Sequence, residues 1–119
     1  MARIVSVVAR TVRVPLDRPT AFANRQVLAR DYALVKVRTD DGLEGIGHCY
    51  AGNFGGKVVA LAVRELLAPH LIGKESTEVE LLWKELYQEV LLHGRTGSVM
   101  RALSILDIAL WDVNAQAAK

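Results

Sequence analysis

The stretch Gly45-Ile46-Gly47-His48-Cys49-Tyr50 holds the densest group of residues whose types could do chemistry. Two glycines at this spacing begin a dinucleotide fingerprint, where they let a pyrophosphate approach the backbone at a strand-to-helix turn. The third glycine is missing and the segment reads as strand, so no dinucleotide site is expected. Gly52 to Lys57 approximates a phosphate loop, but the first glycine stands one residue too close. Val58 also replaces the Ser or Thr that would hold magnesium. A glycine-rich approach to a helix can still hold an anion on backbone N–H groups; its ordinary uses are flexibility and close chain approach. His48 and Cys49 are neighbours on a strand, point to opposite faces and cannot ligate one ion together. His70 and His93 have no partner at ligand spacing.

The acids give no shared site. Glu44 lies beside a turn and is expected in solvent. Glu78, Glu80, Glu85 and Glu89 line the wet side of a helix whose other side is apolar. Asp107 and Asp112 are the acids to retain, each able to bond a neighbouring segment or cap a turn, whereas a general base needs a pocket and partners. Trp83 and Trp111 read as packing groups whose N–H finds one acceptor. Without a nucleophile beside a base, a carboxylate pair or a metal cluster, this chain alone does not read as a catalyst, and no catalytic or metal residue is assigned.

The totals agree with one globular domain. The 119 residues are 51% hydrophobic and 24% charged, with 15 Lys and Arg scattered among 13 Asp and Glu. A net charge of +2 without a basic run argues against nucleic acid. No apolar stretch reaches the roughly 18 residues of a membrane span. The single cysteine, Cys49, excludes an intrachain disulfide, and the start reads as strand rather than signal peptide, so a cytoplasmic location is expected.

Alternation predicts a strand over Ile4 to Val14, ended by Pro15 and Pro19, and then an irregular loop to about Gln26. Ala33 to Thr39 and Leu43 to Tyr50 alternate around Asp40-Asp41-Gly42, a hairpin signal spanning residues 31 to 50. A second irregular stretch covers Tyr50 to Gly56. The period then becomes helical: Val58, Leu61, Ala62, Leu66 and Leu67 mark one helix, closed by Pro69 and Gly73. Val79, Leu82, Trp83, Leu86 and Val90 mark a second, with Thr77 or Ser76 as N-cap and Glu80 completing a capping box. Thr96 or Ser98 opens the third. Strands first and helices after give an α+β class: a three-stranded antiparallel sheet followed by three helices.

The third helix is apolar on two sides. Val99, Ala102, Leu103, Leu106, Ala109, Leu110 and Val113 share the ordinary core stripe, while Met100, Ile105, Ile108 and Trp111 fall outside it. A helix pressed between two bodies has a use for such groups. No Gly or Pro terminator follows, and the expectation is a domain built to pack against a body that residues 1–119 do not contain.

Arg101-Ala-Leu-Ser-Ile-Leu-Asp-Ile-Ala-Leu-Trp-Asp112 resembles the last helix of the N-terminal capping domain of the enolase superfamily, in its mandelate racemase and muconate lactonizing enzyme family. Val14-Pro15-Leu16, Leu34-Val35-Lys36-Val37, Asp40-Asp41-Gly42-Leu43-Glu44-Gly45-Ile46-Gly47, Leu66-Leu67-Ala68-Pro69 and Leu71-Ile72-Gly73 agree in order. Gly47-His48-Cys49-Tyr50 and Gly94-Arg95-Thr96-Gly97 lean toward the mandelate racemase subgroup.

The resemblance implies a cap for a (β/α) barrel absent from residues 1–119. The barrel would supply the base that removes a proton α to a carboxylate and the ligands for Mg²⁺. It also implies that Asp17 to Gln26 and Tyr50 to Gly56 close over the barrel mouth and choose a small carboxylic acid, with Thr20, Phe22, Asn24, Tyr50 and Phe54 as candidate contacts. Ordinary loop packing is the alternative, on equal terms for Phe22 and Phe54 and as the preferred reading for Thr20, Asn24 and Tyr50. Met100, Ile105, Ile108 and Trp111 would then meet the barrel, in a homo-oligomeric acid-sugar dehydratase, racemase or cycloisomerase. The competing reading is a stand-alone module that self-associates through those four residues and has no activity.

Overall fold

A computed structural model describes residues 2–119. Three strands form an antiparallel sheet in the order β1-β2-β3: β1 (Ile4–Phe22), β2 (Arg25–Thr39) and β3 (Glu44–Tyr50). Three helices follow. The first, α1, runs over 56–71 with a π-helical turn at Val63–Leu67. The others are α2 (Val79–Glu89) and α3 (Ser98–Ala117). The predicted α+β class and element order are those observed.

β1 does not stop at its prolines. The register runs to Pro15↔Ala29 and resumes at Thr20↔Val27, so Leu16 to Pro19 bulge out opposite Leu28. Proline has no N–H for the ladder, and β1 is an edge strand, where an interrupted ladder is tolerated. The expected loop from Asp17 to Gln26 is therefore a hairpin arm that ends in a two-residue turn at Ala23-Asn24, with Ala23 at φ 49°. The hairpin β2–β3 turns at Asp40 to Gly42 as predicted, with Gly42 at φ 89°. There Thr39 donates its hydroxyl to the Asp41 carboxylate, which holds the Asp41 pKa below its ordinary value.

Pro69 does not close α1 either. The π turn immediately before it rearranges the carbonyls that proline leaves unpaired, and the helix continues to Leu71 before Gly73, at φ 84°, reverses the chain. The buried stripe of α1 is Val59, Ala60, Val63, Leu67 and Leu71, leaving Val58 and Leu61 exposed. The capping box is absent: α2 starts at Val79 without a side-chain cap, because Thr77 donates its hydroxyl to Glu75 instead. Gly97 precedes α3, which opens at Ser98.

One core joins the inner sheet face (Ala33, Val35, Val37) to all three helices. The helix α3 packs on β3 and β2 and also against α1 and α2, and this position corrects the two-faced reading. Ile105 is 1% exposed, and Met100 is partly buried against the same core. The buried arc is wide because β3 touches α3 backbone to backbone: a Cβ on Gly47 would lie 2.0 Å from the Ile105 carbonyl oxygen, and one on Gly45 2.0 Å from that of Ala109. Only Ile108 and Trp111 of the four stay outside, 50% and 57% exposed.

The same helix seals the free edge of β3. Asp112 accepts the Ile46 N–H at 2.8 Å, Gln116 donates to the Glu44 carbonyl at 2.6 Å, and Arg101 donates to the Tyr50 carbonyl at 2.6 Å. Covering an edge in this way blocks pairing with another chain. Asp112→Ala is expected to lower stability by about 2 kcal/mol, the usual loss for a hydrogen bond to a charged group. Urea unfolding checks it; an unchanged midpoint would show that water replaces the carboxylate.

Candidate functional site

The β1–β2 arm and the segment after β3 meet at one end of the molecule and enclose a cleft of about 740 Å³. Phe22, Arg25 and Gln26 line it from the arm, and Tyr50, Gly52 and Asn53 from the other side. Register explains the convergence. Tyr50 pairs with Tyr32 across β2–β3, and the chain then stays on β2, with Asp31 donating its N–H to the Gly52 carbonyl and accepting from the Ala51 N–H. The second segment thus runs along the root of the arm.

The five candidate contacts separate here. Phe22 and Tyr50 line the cleft together. Tyr50 is held by the Arg101 bond to its carbonyl and by an edge-on contact with Tyr32 at 5.9 Å. Thr20 pairs with Val27 on the arm and Asn24 occupies the exposed turn; neither lines the cleft. Phe54 stands just outside, 71% exposed, with the Arg13 guanidinium 4.2 Å over its ring. Arg25 and Asn53 are cleft residues that sequence reading missed, since no motif marks them. Arg13 was missed as well, because only the β1–β2 register sets it opposite Asp31.

The residues considered for metal binding do not assemble. His48 is exposed on one sheet face and Cys49 half-buried on the other. Among the described residues no three of His, Cys, Asp and Glu come together. Burial pushes the Cys49 thiol up, offset in part by Arg101, and keeps it protonated at neutral pH. Asp107 is half-buried on α3, and burial raises its carboxyl above the ordinary value. Glu44 pairs with Lys36 at 3.0 Å at the surface. No helix among the described residues is long and apolar enough to cross a membrane.

A three-stranded antiparallel sheet backed by three helices, with a cleft between two end segments, defines the α+β class of this domain. Residues 4–119 match the mandelate racemase / muconate lactonizing enzyme N-terminal domain, and the chain belongs to that family. It is 32% identical over 102 residues to a 3,6-anhydro-alpha-L-galactonate cycloisomerase of Streptomyces coelicolor, an alignment covering 85% of this chain and 28% of that protein. The fold superposes on a racemase from Streptomyces coelicolor with bound magnesium (TM-score 0.92, 30% identity, 98% of this chain and 33% of that one). It also superposes on an L-talarate dehydratase from a Polaromonas species complexed with Mg and L-glucarate (TM-score 0.90, 27% identity, 99% and 33%). The chain thus spans about a third or less of the proteins it resembles.

Proposed function

We propose that this chain is the substrate-selecting cap of a cytoplasmic, homo-oligomeric, Mg²⁺-dependent enzyme that abstracts a proton α to the carboxylate of an acid sugar. The observation that carries it is the cleft: two segments distant in sequence meet there and leave Phe22 and Tyr50 open on its walls. In this reading a barrel domain supplies the base and the metal ligands, and the chain alone is not catalytic. Phe22, Tyr50 and Phe54 contact the substrate's far end, where Arg25 and Asn53 can bond carboxylate or hydroxyl oxygens; Ile108 and Trp111 pack on the barrel. Substrate is enclosed when the cap closes, which excludes water and strengthens the electrostatics of the site.

The test is turnover of aldonic and aldaric acids with Mg²⁺ by the intact protein, beside Phe22→Ala and Phe54→Ala. Each variant is expected to change the ratio of kcat/KM between two acid sugars by about tenfold, the scale of one pocket contact, with melting shifted by less than about 2 °C, since surface changes cost little. Equal losses on every acid together with a lowered melting point would assign both rings to packing.

A further inference from the structure

We propose that Arg13 is a positioning residue that latches the two cap segments into one wall of the cleft; this rests on the cap reading above. Arg13 lies opposite Asp31 in the β1–β2 register, and the two form an ion pair at 3.2 Å. The guanidinium also donates to the Asn53 carbonyl and, through Nη2, to the Asn53 side-chain oxygen at 3.1 Å, while its face covers Phe54. One side chain thus ties the root of the arm to two consecutive residues of the second segment. The planar fork is what allows it: Nη1 serves the Asp31 carboxylate and the Asn53 carbonyl, Nη2 serves the Asn53 side chain, and the face is left free to stack.

Asp31 anchors the other end. It is 7% exposed, and its second oxygen accepts the Gly56 N–H at 3.1 Å, where α1 begins. Its own backbone holds Ala51 and Gly52. A Cβ on Gly56 would lie 3.0 Å from that carboxylate oxygen and 3.1 Å from the Tyr32 carbonyl, so a side chain there would press on both. The segment 51–56 is thereby fixed at both ends by Asp31 and at its middle by Arg13. Asn53, a cleft wall, sits at that middle.

The test uses Arg13→Lys and Arg13→Gln in the intact protein, with hydrogen exchange of the 51–56 amides, melting temperature and steady-state kinetics. Lysine keeps a charge beside Asp31 but loses the fork and the stack. Arg13→Lys should melt within about 3 °C of wild type while the 51–56 amides exchange about tenfold faster, as a locally opened segment does. KM should rise about tenfold with kcat changed less than twofold, the signature of a binding wall that is no longer preorganised. Arg13→Gln should reproduce the loop effect and also lower the melting temperature, because it strands the Asp31 charge. Unchanged exchange in both variants would overturn the latch. Faster exchange with unchanged KM would overturn its role in the cleft. If the wild-type protein turned over no acid sugar, the cap reading would fail by itself, and the exchange data would still decide whether Arg13 holds the segment.

Discussion

Gly47→Ala is expected to lower the stability of this domain by about 3 kcal/mol or more. The added methyl would stand 2.0 Å from the Ile105 carbonyl oxygen and 2.9 Å from the Ile105 carbonyl carbon, both backbone atoms of a helix. No rotamer change relieves such a contact, so β3 must move off α3. That movement opens the core around Ile105 and Ala109 and strains the three bonds that seal the β3 edge. Forced overpacking of this kind costs about 3 kcal/mol or more, which lowers the melting temperature by about 15 °C for a domain of this size. Gly52→Asn is the matched control. Gly52 has φ 74°, but a Cβ added there would meet nothing within 4 Å, so only the backbone cost of about 1 kcal/mol applies. Thermal unfolding of both variants checks the pair. Equal, small losses would mean that the strand and helix separate more freely than their backbone contact implies.

This contact also shows where sequence reading reaches and where it ends. Alternation and the Asp40-Asp41-Gly42 turn were enough for the β2–β3 hairpin, and the change to a helical period was enough for the element order. Those signals are local. The meaning of Gly45 and Gly47 is not local: as a failed dinucleotide motif the pair carries nothing, yet it allows a strand to lie on a helix some 60 positions later in the chain. The wide buried arc of α3 follows from that approach, and so Ile105, counted as outward by angle alone, is in the core. The prolines misled for a similar reason. Pro15 and Pro19 interrupt a ladder but do not end a strand at a sheet edge, and Pro69 does not stop a helix that has a π turn before it. In the cleft, Phe22 and Tyr50 entered as candidates through the family resemblance, which pointed to the segments that carry them. Arg13, Arg25 and Asn53 did not, because residues from other segments of the chain define what they do.

Trp111→Glu should separate the two meanings of an apolar surface. Trp111 is 57% exposed, Ile108 half exposed beside it on α3, and a groove of about 400 Å³ lined by Thr77, Glu78, Val79, Glu80, Trp111 and Asn114 opens there. If a barrel domain covers this face, a buried carboxylate replaces an indole whose burial contributes about 2–4 kcal/mol. The intact protein should then melt at least about 8 °C lower, with the two domains unfolding in separate steps, and it should lose turnover because the cap no longer seats over the site. The chain's own core does not use the exposed part of the ring, so residues 1–119 expressed alone should unfold within about 0.5 kcal/mol of the unsubstituted form, the usual scale for a surface change. A stand-alone module would give a different result. Self-association through Met100, Ile105, Ile108 and Trp111 is already weakened, since Ile105 belongs to the core of its own domain and Met100 packs partly buried against it. What is left, Ile108 and Trp111, is a small patch for a stable symmetric dimer, whose interface buries about 800 Å² per partner. Sedimentation of the short chain with and without Trp111→Glu measures this directly. A tight dimer dissolved by the substitution would favour the module, whereas unchanged association of the short chain together with split unfolding of the intact protein would assign the Trp111 face to the barrel.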